Sequence, residues 1–124
     1  MTDHLSLSLP RDPDSVPAAR AALAHFEGRV PASRLYDASL CLSELVTNAI
    51  QHPAADPGGE VVVELGIRED ALRVQVVDPG GGFEPGPPTE GDERGWGLFI
   101  VDQLAERWGV ERNDHTCVWF ELAL

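Results

Sequence analysis

The stretch ELVTNAIQH, from Glu44 to His52, decides how the rest of the chain is interpreted. It continues an apolar helical pattern that begins at about Ser33 and that Pro53 ends, because proline cannot extend a helix. Asn48 nevertheless lies in the interior of this predicted helix, where its side chain competes for backbone hydrogen bonds. Since Asn48 follows Glu44 by four residues, the two polar side chains share one face of the helix.

A carboxylate and a carboxamide at this spacing can act together on a metal–phosphate ligand. The amide oxygen of Asn48 is a neutral, hard ligand that suits Mg²⁺. The carboxylate of Glu44 can hold a water molecule or accept a proton from an attacking hydroxyl group. The alternative is that both side chains face solvent or cap a neighbouring loop, and for an isolated pair this alternative is favoured.

Hydrophobic periodicity predicts the remaining elements. The strict alternation of HLSLSL, residues 4–9, predicts a half-buried strand. A first helix is expected after a cap at Asp14 or Ser15, with an apolar stripe, and it ends at Gly28 and Pro31. Residues 60–67 and 71–77 predict a hairpin, residues 97–108 a third helix, and residues 108–113 and 115–122 a final hairpin. The first helix's stripe consists of Val16, Ala19, Leu23 and Phe26.

Helices and antiparallel strand pairs segregate along this chain, which predicts the fold class α+β. We expect a two-layer α/β sandwich in which about three helices cover a mixed, mostly antiparallel sheet. The length of 124 residues predicts a single domain, 1–124, that can bury a sizeable core.

Composition restricts the function classes. The net charge of −12 argues against binding nucleic acid or an anionic membrane, because phosphate contacts need a basic face. No apolar run approaches the ~20 residues of a membrane span, and no signal peptide is recognised, so a cytoplasmic location is expected. Cys41 and Cys117 match no metal-binding spacing and are expected to be buried and unbridged.

A second polar signal, DPGGGF, follows the predicted strand of residues 71–77. The carboxylate of Asp78 at the strand end can accept a hydrogen bond from an exocyclic amine such as that of adenine. Gly80, Gly81 and Gly82 lack a Cβ, so their backbone can approach a flat ligand closely. The alternative is an ordinary turn, because Asp, Pro and Gly are common turn residues.

A third signal, RGWGLFIV, places Gly95 and Gly97 at the start of the third predicted helix. Free N–H groups and the helix dipole at such a start can bind phosphate, and Arg94 can add a charged contact. The alternative is a flexible helix entry. Residues 80–95 are rich in Gly, Pro and acidic side chains, and we expect a mobile loop there. Thr116 shares its strand face with apolar residues and either bonds locally or contacts a ligand.

Together and in this order, ELVTNAIQH, DPGGGF, RGWGLFIV and HTCVWFEL resemble the motifs of the GHKL ATPase superfamily. The resemblance covers Ser33 to Leu122 and is strongest to the stand-alone bacterial anti-sigma-factor serine kinases. It implies the Bergerat ATP-binding fold of histidine-kinase-like ATPase domains, with ATP and Mg²⁺ as ligands. Because the motifs occur in this order, a ligand-binding role is favoured for each segment over the alternatives of solvent-facing side chains, an ordinary turn and a flexible helix entry.

The resemblance implies a role for each matching residue. Asn48 would coordinate Mg²⁺, and Glu44 would be the general base toward a serine or threonine hydroxyl group. Asp78 would bind the adenine amine, with Thr116 supporting it through water. The remaining ATP-binding residues would shape the adenine pocket or present backbone N–H groups to phosphate: Gly80, Gly82, Arg94, Gly95, Gly97 and Leu98.

Two functions of different class follow from the resemblance. The first is an ATP-dependent protein serine/threonine kinase that regulates a sigma factor and phosphorylates an anti-anti-sigma partner. The second is a binding module that sequesters its partner, binds ATP weakly or not at all, and transfers no phosphoryl group. Two features favour the second function: Trp96 between the two glycines, and the Pro and acidic residues of the segment from Phe83 to Gly95, which contains no Lys.

A detached ATP-binding domain of a sensor histidine kinase is less favoured, because no dimerisation helix or phospho-acceptor segment is recognised. The resemblance also implies homodimerisation, for which residues 4–9 are a candidate edge strand.

Overall fold

The computed structural model describes residues 3–51, 59–78, 93–112 and 115–124, with only the backbone of residues 93–97 and 112. Five strands form one sheet: β1 (His4–Pro10), β2 (Glu60–Arg68), β3 (Ala71–Asp78), β4 (Arg107–Arg112) and β5 (Thr116–Ala123). Three α-helices accompany them: α1 (Ser15–Ala21), α2 (Ala32–Gln51) and α3 (Glu93–Leu104). A 3-10 helix over Ala22–Phe26 continues α1.

The sheet has the strand order β1-β2-β3-β5-β4, and each of its four pairings is antiparallel. The α+β prediction of a mostly antiparallel sheet covered by three helices is confirmed. β1 is an edge strand, as predicted, and pairs along its whole length with β2. The β2–β3 hairpin turns at Glu69 and Asp70, and Glu69 takes the positive φ of 55° that such a tight turn requires.

The core lies between the sheet and the helices. Alternate residues of β2, β3 and β5 point toward the helices and are buried, which is the period-two pattern of a sheet with one covered face. α2 supplies the opposite wall and contacts β2, β3 and β5 as well as α1 and α3. The inward-facing strand residues are Val61, Val63, Leu65, Leu72, Val74, Val76, Val118, Phe120 and Leu122.

Two predicted helices have different bounds in the structure. The first helix does not stay α-helical to Phe26 but tightens into the 3-10 segment, although its predicted stripe is still buried or half-buried. Asp14 occupies the cap position of α1 but makes no side-chain cap hydrogen bond. The Ser15 hydroxyl instead donates to the carbonyl of Pro10 over 2.6 Å.

The third helix was predicted over residues 97–108 and instead spans Glu93–Leu104. It begins earlier because packing against α2 outweighs the roughly 1 kcal/mol that each glycine costs inside a helix. It ends earlier because the N–H of Glu106 donates to the carbonyl of Glu121 over 2.8 Å, which starts the β4–β5 pairing.

Both cysteines are free and buried, as predicted. Burial, with a smaller effect of the Asp37 charge, raises the pKa of the Cys41 thiol to about 12. Burial is also the largest cause that raises the pKa of Cys117. Both thiols therefore stay neutral at physiological pH and behave as small apolar residues. No helix in the described part of the chain is long and apolar enough to span a membrane.

The sheet face opposite the helices carries a charged cluster around Glu121, which is 8% exposed. Arg73 donates to one carboxylate oxygen over 3.1 Å, and Arg107 donates through Nε to the other over 3.0 Å. The Arg73 guanidinium also stacks 4.3 Å above the Trp119 ring. Burial acts most strongly on Glu121 and would raise its pKa, but the hydrogen bonds and charges of the two arginines together lower it.

This cluster predicts an acid-dependent part of the protein's stability. The pKa of Glu121 is lower in the folded protein than its ordinary value. Its carboxylate therefore stabilises the fold fully at pH values above the ordinary pKa, and this contribution is lost as the pH falls through the lowered pKa. We therefore expect Glu121→Gln to lose about 1–3 kcal/mol at neutral pH and to show a shallower loss of stability below about pH 5. Urea unfolding at a series of pH values measures both effects.

The matched control is Glu111→Gln, which changes an exposed glutamate on the neighbouring strand β4. That variant should follow the wild-type curve. If Glu121→Gln also ran parallel to the wild type into the acid range, the cluster would carry no pH-dependent stability.

Candidate functional site

Helix α2 carries the predicted pair Glu44 and Asn48. Its apolar face packs into the core, and Asn48 is buried with it at 5% exposure, beside Ala49. Glu44, one turn earlier, is half-buried. A buried amide in a helix interior needs hydrogen-bond partners, whereas an apolar side chain at the same position would need none. The interpretation that both side chains simply face solvent does not hold for Asn48.

Asp78 and Thr116 form a second polar pair at the end of the sheet. Asp78 is the last residue of β3 and lies opposite Thr116, the first residue of β5, in the β3–β5 register. Their exposures are 1% and 2%, and both belong to the strand face that is turned toward the helices. The predicted adenine acceptor and its predicted supporting hydroxyl are therefore neighbours.

Arg11 joins these two groups of residues. Its guanidinium forms an ion pair with Asp78 through Nη2 and Oδ1, and its Nη1 donates to the carbonyl of Ala49 over 2.6 Å. The side chains of Arg11 and Asp78 are 3% and 1% exposed. Because one planar guanidinium reaches both acceptors, the end of β3 lies close to the helical turn that contains Asn48. Asn48, Asp78 and Thr116 thus belong to one region of the molecule.

Sequence reasoning did not predict Arg11. The only signal for it was a single basic residue between a strand and a helix start in a strongly acidic chain. Such a residue is usually an exposed solubilising charge. Only the packing of β1, α2 and β3 around it shows that it is buried and paired.

The residues predicted to present backbone N–H groups or a charge to phosphate lie on α3. The backbone of Arg94, Gly95 and Gly97 belongs to the first turns of α3, a helix that packs against α2. Leu98 is 2% exposed and part of the hydrophobic core. Gly97 and Leu98 also lie past the first turn of α3, where backbone N–H groups donate to carbonyls four residues earlier, so only the N–H groups nearer Glu93 are open to a phosphate. Gly80 and Gly82, and most of the loop of residues 80–95, lie outside the described residues.

The side chains that the structure describes fit a metal ion that is coordinated mainly by a bound small molecule and only to a small extent by the protein. Across residues 3–51, 59–78, 93–112 and 115–124, no three or more His, Cys, Asp or Glu side chains are grouped to hold a metal ion. The buried amide of Asn48 is a hard oxygen ligand, and Mg²⁺ typically takes one or two protein ligands and completes its shell with phosphate and water oxygens. The donor set therefore fits Mg²⁺ that arrives with a nucleotide.

Comparisons with known proteins agree with this geometry. Residues 9–122 match the family model described as a histidine kinase-like ATPase domain. The serine-protein kinase RsbW of Listeria innocua is 32% identical over 86% of this chain and 78% of its own length. The serine-protein kinase RsbW of Bacillus velezensis is 30% identical over 94% of this chain and 82% of its own.

The fold also matches a solved structure. The RsbU and RsbW domains of Rv1364c from Mycobacterium tuberculosis superpose with a TM-score of 0.77 at 23% identity. The match covers 99% of this chain and 33% of that one, so this chain spans about a third of the solved protein. The expected Bergerat-type architecture is thereby confirmed, and the chain belongs to the family of histidine kinase-like ATPase domains.

Proposed function

We propose that the protein is an ATP-dependent serine/threonine kinase of the anti-sigma-factor type, which phosphorylates an anti-anti-sigma partner. The observation that supports this best is that Arg11 contacts both Asp78, which lies beside Thr116, and the turn of α2 that contains Asn48. A base acceptor and a metal ligand within one region are what an ATP site needs. The relatives named serine-protein kinase RsbW support the choice of reaction.

In this proposal Asp78 accepts a hydrogen bond from the exocyclic amine of adenine, and Thr116 supports Asp78 through water. Both are shielded from bulk solvent, so a hydrogen bond to the base competes little with water. Gly80 and Gly82 keep their predicted role of letting the backbone lie against the purine.

The phosphates would lie between α2 and the first turns of α3. The Asn48 amide oxygen would hold Mg²⁺ together with phosphate oxygens, and the ion would neutralise phosphate charge when bound. The backbone N–H of Gly95, together with Arg94, would contact the phosphates at the start of α3. Helix α2 holds Glu44 and Asn48 about 5–6 Å apart at Cβ, so the base and the metal ligand move as one unit.

The transfer step would use Glu44 as the base. As the bond between the γ-phosphorus and the ADP oxygen breaks, a bond forms between that phosphorus and the hydroxyl oxygen of the partner's serine or threonine. The hydroxyl proton passes to the Glu44 carboxylate. Positioning and charge neutralisation supply most of the catalysis in such transfers.

The regulatory part of the proposal concerns protein partners. A sigma factor would be held by this protein, and phosphorylation of the anti-anti-sigma protein would control that hold. The net charge of −12 suits a partner with a basic surface. We further propose that the protein acts in the cytoplasm, and that the edge strand β1 can pair two copies into a homodimer.

Titration calorimetry of ATP with Mg²⁺ tests the nucleotide site. We expect the wild type to bind ATP in preference to ITP. The base of ITP, hypoxanthine, lacks the exocyclic amine that would donate a hydrogen bond to Asp78. Asp78→Asn should weaken ATP binding by about tenfold to a hundredfold, since a charge-assisted hydrogen bond is lost. Asp70→Asn, in the exposed β2–β3 turn, is the matched control and should bind as the wild type does.

Near-ultraviolet circular dichroism of each variant separates lost binding from lost folding. If the wild type bound no ATP at millimolar concentration, the kinase proposal would be wrong. A partner-sequestering module without a nucleotide would then be the better description.

A further inference from the structure

Arg11 is a buried cation that the proposed reaction does not use. It stands just after β1, ahead of α1, and its side chain is 3% exposed. A guanidinium removed from water is strongly unfavourable unless it is paired. Asp78 and the Ala49 carbonyl pair it, so its position is determined by both the sheet and α2.

The two contacts of Arg11 belong to two different parts of the proposed nucleotide site. Asp78 is the proposed base acceptor, and Ala49 directly follows Asn48, the proposed metal ligand. The guanidinium is a rigid planar fork, which a flexible ammonium group is not. Arg11 therefore sets the distance between the group that would bind the base and the turn that would bind the metal.

Arg11 also affects which base Asp78 can bind. An ionised carboxylate only accepts hydrogen bonds, so it fits the amine of adenine and repels the O6 carbonyl of hypoxanthine or guanine. The adjacent guanidinium stabilises the carboxylate charge. Without Arg11 the Asp78 carboxylate loses the contact that fixes its orientation, so its preference for a donating amine over a carbonyl weakens.

We propose that Arg11 is a positioning residue that determines the specificity for adenine by holding the Asp78 carboxylate in a fixed orientation beside the helical turn of Asn48. This inference rests on the proposed function, because it concerns the same nucleotide site. It assigns to Arg11 no contact with the nucleotide itself.

The test measures the affinities of ADP and IDP, each with Mg²⁺, for the wild type and three variants. Arg11→Met removes charge and hydrogen bonds, Arg11→Gln keeps hydrogen bonding, and Arg11→Lys keeps the charge. We expect Arg11→Met to weaken ADP binding by about tenfold or more and to bring the ADP-to-IDP affinity ratio close to one. Arg11→Gln should also lose selectivity, and Arg11→Lys should keep only a part of it, because one ammonium group keeps the charge but does not hold both acceptors as the guanidinium does.

The matched control is Arg34→Met, which removes a surface arginine whose partner Asp37 lies 3.5 Å away. It should keep the wild-type ratio. If Arg11→Met does not fold, the ADP-to-IDP affinity ratios of Arg11→Gln and Arg11→Lys test the proposal instead, since both variants retain polar contacts in the buried site.

Several results would overturn the inference. One is an unchanged ADP-to-IDP ratio in folded Arg11→Met or Arg11→Gln, even with weaker binding of both nucleotides, since that would show a merely structural role. Tighter ADP binding by these variants would show that Arg11 competes with the base. A wild type that binds neither nucleotide would overturn the proposed function and this inference with it. A selective wild type with equally selective variants would overturn the inference alone.

Discussion

Replacing Glu44 by glutamine should nearly abolish phosphoryl transfer and leave nucleotide binding intact. Glutamine has the shape of glutamate, but its amide cannot accept the hydroxyl proton of the substrate. Loss of a general base slows a reaction by about a hundredfold to ten-thousandfold. Because Glu44 is half-buried rather than a core residue, the substitution should not disturb the packing of α2.

Two assays on the same protein check this expectation. Transfer of labelled phosphate from ATP to the candidate anti-anti-sigma protein measures the reaction, and calorimetry with ADP measures binding. Glu106→Gln, an exposed glutamate just before β4, is the matched control. Transfer at the wild-type rate by Glu44→Gln would remove Glu44 from the role of base. Joint loss of transfer and ADP binding would instead indicate a damaged nucleotide site.

The largest effect on stability is expected from Phe120→Ala. Phe120 is fully buried on β5, between its sheet partners Val74 on β3 and Trp108 on β4. Removing the ring leaves a cavity that the surrounding strands cannot close, so we expect a loss of about 3–5 kcal/mol. This is a large fraction of the ~5–15 kcal/mol by which a typical domain is stable.

Urea unfolding measures that loss. Tyr36→Ala removes another aromatic ring, but Tyr36 is 66% exposed, so this control should change stability by less than about 0.5 kcal/mol. If Phe120→Ala is already unfolded in water, Phe120→Leu gives a milder and measurable loss. Equal stability of Phe120→Ala and Tyr36→Ala would contradict the position of Phe120 in the core.

Much of the fold could be predicted because its elements have strong periodic patterns. The alternation of residues 4–9 predicts β1, and the alternating valines and leucines of β2 and β3 predict which residues face the helices. The helical pattern that ends at Pro53 predicts α2 to within one residue at each end. The family membership, too, follows from the order of four short motifs and is confirmed.

The errors occurred where local pattern and tertiary packing disagree. Gly95 and Gly97 suggested that residues up to 96 are not helical, yet α3 starts at Glu93 because it packs against α2. The charged cluster of Glu121 could not be predicted, since Arg73 and Arg107 are distant from it in sequence and meet it only through strand pairing. The roles assigned to the candidate site residues stay predictions.

Local sequence patterns are enough to predict which residues face the core and which polar residues depart from that pattern, because periodicity and propensity are local properties. Asn48 inside a helix and Asp78 at a strand end are visible in this way. The packing of distant segments is needed to show that these two residues lie in one region and that Arg11, far from both in the chain, is buried between their elements. Contacts between distant segments depend on how sheet and helices pack, and no local pattern encodes that packing.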